Sequence, residues 1–150
     1  MENSGNDINL IKAFAKKSRN DLKSAGVLLN YMSYADASYH AQQCTEKIIK
    51  CVLILNNKFV RTHIVSNIFE GVVESIENEE WKSALKNLIP DVIEIEEHWV
   101  LPRYPEPSGD EIWDPVDYYT EDVAKDVFNK AKRILDTITK FIKEYYSIEL

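Results

Sequence analysis

Apolar residues along this chain recur at intervals of three and four rather than two, and the stripes they form are long. Ile8, Ile11, Phe14, Leu22, Ala25, Leu28 and Leu29 share one face of a helix predicted over about 8–29, with Asn6 or Asp7 as its cap. Tyr39, Cys44, Ile48, Cys51, Val52 and Leu55 form the stripe of a second helix over about 36–55, which Asn56-Asn57 is suited to end. Ile64, Ile68, Val72 and Ile76 step by four and predict a shorter helix within 61–77. A further helix follows over about 79–98, where Pro90 must start, kink or break part of it.

From Val100 to Val116 the pattern is lost. Pro102, Pro105, Pro107, Gly109 and Pro115 crowd this stretch, which reads as an ordered loop pinned by burial of the Tyr104 and Trp113 rings. Periodicity resumes in a last helix over about 120–146, opened by Thr120 with Glu121 and Asp122 at its positive end. Val123, Val127, Ala131, Ile134, Leu135, Ile138, Phe141, Ile142 and Tyr145 make its stripe. Four long helices and one short one predict an all-α fold, an antiparallel up-and-down four-helix bundle with an additional short helix, as one domain over 1–150.

Composition agrees with that pattern. Only 4 Gly and 5 Pro leave little material for the many tight turns of an all-β fold. No apolar run approaches the roughly 18 residues of a membrane span. The opening Met1-Glu-Asn-Ser-Gly-Asn-Asp7 lacks the basic region and apolar core of a secretory signal, so a cytoplasmic protein without membrane contact is expected. Cys44 and Cys51, seven residues apart on a helix, would stand roughly 10 Å apart. They read as buried thiols rather than a disulfide or a zinc site.

The net charge of −7 is unevenly spread: residues 1–63 carry 9 Lys/Arg against 5 Asp/Glu, and residues 64–150 carry 9 against 20. Overall acidity argues against broad coating of nucleic acid but leaves room for a local basic site, or for pairing of unlike faces between chains.

Three segments, in order, carry a resemblance. They are Tyr39-His-Ala-Gln-Gln-Cys-Thr-Glu-Lys-Ile-Ile-Lys50, then Arg61-Thr-His63, then Arg103-Tyr-Pro105 ahead of an acidic helix start. Together they resemble the HEPN family, in which a His-Ala-Gln-Gln run with Glu-Lys, a Lys-Thr-His-like helix entry and an Arg-Tyr-Pro loop follow one another. The resemblance implies a four-helix bundle with a short extra helix, assembled as a homodimer. Family members bind nucleotides, cleave RNA as toxins, or pair with a small nucleotidyltransferase encoded nearby. Ribonuclease members carry an Arg followed after four to six residues by a His. At those distances Arg19 meets Ser24, Ala25 and Gly26, and Arg61 meets Ser66, Asn67 and Ile68. Arg103 meets Ser108, Gly109 and Asp110, and Arg133 meets Ile138, Thr139 and Lys140. The motif is absent.

The ligand-binding candidates are Arg103, Tyr104, His40, Gln43, Lys47, Lys50 and His63. An Arg in a loop can grip a phosphate while a Tyr stacks on a base; the plainer alternative is that Arg103 pairs with Glu106 or Asp110 and anchors its loop. His40, Gln43, Lys47 and Lys50 share a helix face that suits an anion, or equally a polar dimer surface in which Glu46 pairs with Lys50. His63 can act as acid or base or make a structural hydrogen bond. Glu94 and His98, one turn apart, offer at best a weak metal pair, and no metal or other cofactor is expected. Lys12, Lys16, Arg19 and Lys23 form a row that suits a phosphate backbone or a solvated face.

The expectation is therefore a non-catalytic HEPN-type binding module for a nucleotide or RNA, or for a nucleotidyltransferase partner in a toxin–antitoxin-like pair. Two alternatives stand beside it. One is a divergent, metal-independent ribonuclease joining Arg103 to His40 or His63 in space; the other is a purely structural or regulatory dimer.

Overall fold

The computed structural model describes residues 5–150 except for the side chain of Asn6. Helix α1 spans Gly5–Asn30 and α2 spans Tyr34–Leu55. They are followed by α3 (Ser66–Glu74), α4 (Glu79–Lys86) and α5 (Ile89–Glu96), with a 3-10 turn over Glu97–Trp99. A small hairpin, β1 (Glu106–Ser108) and β2 (Glu111–Trp113), leads to α6 (Pro115–Tyr118) and the long α7 (Glu121–Tyr146). The fold is all-α, as the periodicity predicts.

Cross-helix contacts fix the directions. Ser18 meets Cys44 and Cys51 meets Ile11, so α1 and α2 are antiparallel. Gly26 lies against Phe128, and Asn56 bonds the Tyr146 hydroxyl, so α7 runs against α1 and alongside α2. Trp81 packs on Phe141, Asp91 pairs with Arg133, and Glu94 pairs with Lys130, which sets α4 and α5 antiparallel to α7. The order is up, down, up, down. Helix α2 is the hub: Cys44, Ile48, Ile49, Cys51, Val52 and Leu53 are all fully buried, between Ile11, Ala15 and Ala25 of α1 and Ile134, Ile138 and Ile142 of α7.

Local chemistry explains the helix ends. Asn57, in the left-handed region that Asn tolerates, closes α2: the Lys58 N–H reaches the Leu53 carbonyl and the Asn57 N–H that of Ile54. Thr120 caps α7 by accepting from the Val123 N–H, and Asn78 caps α4 through the Trp81 N–H.

Several expectations need correction. Helix α1 is already formed at Gly5, the first described residue, so Asp7 lies inside it rather than at a cap; the side chain of Asn6 is outside the described residues. Helix α3 starts only at Ser66, because the carboxylate of Glu96 reaches across from α5 and accepts from the Val65 and Ser66 N–H groups at 2.8 and 2.6 Å. That cap holds residues 61–65 out of the helix. The helix expected over 79–98 is two: α4 ends at Lys86, and Pro90 takes a first-turn position in α5, where its missing N–H costs nothing. Both pieces still lie against α7. The proline-rich loop contains a hairpin whose two-residue turn is Gly109-Asp110, with Gly109 at φ +62°.

Candidate functional site

Arg103 leaves the 3-10 turn on the loop before β1 and reaches back over α2. Its guanidinium carbon lies 5.0 Å from the centre of the Trp99 ring, 5.4 Å from Tyr39 and 5.7 Å from Tyr104. No carboxylate stands within ion-pair distance of it among the described residues, so the expected pairing with Glu106 or Asp110 does not occur. An arginine set among aromatic rings without a carboxylate partner keeps its charge available to an anion. Tyr104 does not pin the loop, since 62% of it is exposed. Trp113 does, donating from Nε1 to the Leu101 carbonyl at 3.0 Å.

Beside Arg103 opens a cleft of about 440 Å³ at one end of the bundle. Tyr31, Met32 and Tyr34 from the α1–α2 turn form one wall, and Pro102, Arg103, Pro115 and Tyr119 the other. Its size is that of ordinary small-ligand sites.

From Trp99 a line of polar side chains runs down α2. The ring of His63 stacks on Trp99 with centroids 4.5 Å apart, and its Nδ1 is 2.9 Å from the buried Glu46 carboxylate. Glu46 also pairs with Lys50 at 3.2 Å and accepts from Gln42 Nε2 at 3.4 Å. Gln43 donates to Gln42 and accepts from Lys47. Lys47 then pairs at 2.7 Å with Asp21 of α1, which Lys17 holds on its other oxygen. Burial would raise the Asp21 carboxyl, but the two lysine hydrogen bonds hold it below its usual range. His40 Nδ1 stands 3.6 Å from Asp21, too far for a hydrogen bond, and has no other hydrogen-bond partner.

The structure thus brings together the seven ligand-binding candidates, Arg103, Tyr104, His40, Gln43, Lys47, Lys50 and His63. Lys17, Lys47, Lys50 and Arg103 outnumber Asp21 and Glu46, so the strip is cationic in a chain of net charge −7. Sequence reasoning missed Trp99, Asp21 and Gln42. Asp21 was the one recoverable from spacing, as the lone acid between Asp7 and Asp36.

The other candidates lie elsewhere. His98 is buried and faces Tyr119, while Glu94 is exposed and binds Lys130, so these two form no metal pair. Cys44 and Cys51 are free and buried, and burial pushes both thiols up to about 12. Lys12, Lys16, Arg19 and Lys23 are exposed on α1. No helix among the described residues is long and apolar enough to cross a membrane.

A four-helix bundle with a cationic, aromatic-flanked strip on its second helix defines a class of helical domain, and comparison with known proteins gives it a family. The chain belongs to the HEPN domain family, whose model matches residues 11–142. It is 45% identical over 150 residues, covering 99% of both chains, to the Methanocaldococcus jannaschii protein named "Putative toxin MJ1304". Two crystal structures share the fold. That of ST0689, described as an archaeal HEPN homologue, gives a TM-score of 0.66 at 25% identity, covering 89% of this chain and 98% of that one. That of TT1696 from Thermus thermophilus gives 0.68 at 20% identity, covering 88% and 98%.

Proposed function

We propose that this HEPN protein is a non-catalytic, toxin-like binding module whose cleft beside Arg103 takes a nucleotide or an RNA end. One observation carries the reading: an arginine without a carboxylate partner, held against Trp99, Tyr39 and Tyr104 at the lip of a cleft of ligand size. Its donors match a phosphate, and the exposed Tyr104 ring and the Tyr31 and Tyr34 wall offer faces for a base. Family membership and the toxin name of the 45% identical relative support the same direction. In this reading the chain works as a homodimer within a toxin–antitoxin-like pair, with a small nucleotidyltransferase as the protein partner.

A thermal-shift screen of wild type and Arg103→Ala against nucleotides and short RNAs tests it. A ligand at about 100 times its dissociation constant stabilises by roughly 2.7 kcal/mol. For a domain of this length that raises the midpoint by about 5–10 °C. The expected shift appears in wild type and is lost in Arg103→Ala; absence of any shift refutes the nucleotide reading.

One observation favours a second reading, a divergent ribonuclease. Arg103 and His63 both contact Trp99, and His63 is oriented by the Glu46 carboxylate, as a general base is. Incubation with labelled RNA decides between them. Cleavage abolished by His63→Ala supports the enzyme, and intact RNA supports the binding module.

A further inference from the structure

The outward face of α1 is the strongest concentration of unpaired positive charge among the described residues. Lys12, Lys16, Arg19 and Lys23 are all exposed there, and none has a carboxylate partner. The sequence explains why: between Asp7 and Asp36 the lone acid is Asp21, which is buried and bound by Lys17 and Lys47. The four cations follow one another at four, three and four residues, so they line up along the helix as a single row. Such a row in a chain of net charge −7 concentrates an attractive potential for a polyanion in one place.

The direction of the row adds a second observation. Helix α1 runs into the turn at Tyr31–Ser33, and that turn is a wall of the cleft beside Arg103. From Lys12 to Tyr31 is roughly 28 Å of helix. A strand that follows the row toward the C-terminal end of α1 heads toward the turn that lines the cleft. The row bears no exposed aromatic ring between Lys12 and Lys23, so it offers charge without base stacking.

We infer that the α1 row is a backbone track for single-stranded RNA, whose terminal nucleotide enters the Arg103 cleft. The inference rests on the nucleotide reading of that cleft. The ligand is then an oligonucleotide rather than a free mononucleotide. The track itself reads no sequence, since phosphate contacts position a strand without specifying it.

Fluorescence anisotropy with a labelled mononucleotide and with RNAs of about four and eight nucleotides tests this, in the range that single-strand-binding surfaces cover. The proteins are wild type, Arg103→Ala, and the fourfold variant K12Q/K16Q/R19Q/K23Q. Gln is a good helix former, and all four sites are exposed, so the fourfold variant keeps its fold.

Wild type is expected to bind the octamer at least tenfold more tightly than the mononucleotide at low salt. Four phosphate contacts contribute about −3 to the slope of log affinity against log salt for a single strand. The fourfold variant should lose both the length gain and that part of the slope, while keeping mononucleotide binding. Mononucleotide binding that depends on Arg103 but does not strengthen with length overturns the track and leaves the cleft. Octamer binding that depends on the row, with no mononucleotide binding, overturns the cleft reading and leaves the track. Wild type that binds polyglutamate through the row, with no length gain for RNA, assigns the face to an acidic protein and overturns the inference.

Discussion

Nδ1 of His98 and the hydroxyl of Tyr119 lie 2.6 Å apart, both buried, and close the base of the loop that carries Arg103. His98 ends α5 through the 3-10 turn, and Tyr119 stands just before α7, so one hydrogen bond ties the two ends of a twenty-residue excursion. Burial pushes the Tyr119 phenol up and the His98 imidazole down. The hydroxyl therefore keeps its proton, and it shares one hydrogen bond with a neutral His98. Tyr119→Phe leaves the buried His98 Nδ1 without its hydrogen-bond partner, at about 1–3 kcal/mol. The midpoint should fall by about 2–4 °C per kcal/mol, measured by differential scanning calorimetry.

The same pair predicts a pH dependence. Unfolded His98 titrates near its ordinary value of about 6.5. In the folded chain burial lowers it, with Glu94 and Asp126 opposing that shift and Lys130 adding to it. Below about pH 6.5 the unfolded chain takes up a proton that the folded one refuses, so the stabilisation present above that pH is lost as pH falls toward the folded value. Denaturant melts from pH 8 to pH 5 should show this loss in wild type and a smaller one in His98→Gln.

Glu96 supplies three acceptor contacts at once, to the Val65 and Ser66 N–H groups and, at 2.7 Å, to the Ser66 hydroxyl. Glu96→Ala uncaps α3 and should cost about 1–3 kcal/mol. Ser66→Ala removes one of the same contacts, so the double variant should lose less than the sum of the two singles. Chemical denaturation of the four proteins measures the coupling; full additivity would mean that the Ser66 hydroxyl and the Glu96 carboxylate do not interact, and no loss in Glu96→Ala would mean that Glu96 does not act as the cap.

Asp21 ties α1 to α2 through Lys47 at 2.7 Å. Lys47→Met leaves the buried carboxylate with Lys17 as its remaining ion-paired lysine and should cost about 1–3 kcal/mol near neutral pH. The lysine hydrogen bonds that hold Asp21 below its ordinary value also stabilise the fold above that value, an advantage lost as pH falls through the lowered one. The difference between wild type and Lys47→Met should therefore narrow in acid, as melts near pH 3 would record.

Much of this was legible in the sequence because burial imposes a period. Stripes such as Ile134, Ile138 and Ile142 locate α7, and Thr120 marks its start, because both are local consequences of helix geometry. Pro90 announced a break without revealing that α4 and α5 would both stay on α7, since alignment across a break is decided by the partner helix. The late start of α3 was invisible for the same reason: its cap, Glu96, lies thirty residues downstream of Ser66. The hairpin did leave a signal, Gly109-Asp110 between two short extended runs, which the surrounding prolines obscured. At the site, the strip His40, Gln43, Lys47 and Lys50 follows from helical spacing. That Trp99 would join His63 to Arg103 does not, because those three residues come from different segments of the chain.

In the function proposed above, the guanidinium of Arg103, set among the Trp99, Tyr39 and Tyr104 rings, grips a phosphate. Calorimetric titration of a short 5′-phosphorylated RNA into wild type, Arg103→Lys and Arg103→Ala tests it most directly. Lys keeps the charge but loses the planar fork and the stacking face. The expected order of affinity is wild type, Lys, Ala, with the Ala variant weaker by about tenfold or more, since charged hydrogen bonds contribute about 1.5–3 kcal/mol. Equal affinity of all three proteins would contradict it and move the site away from the Arg103 loop.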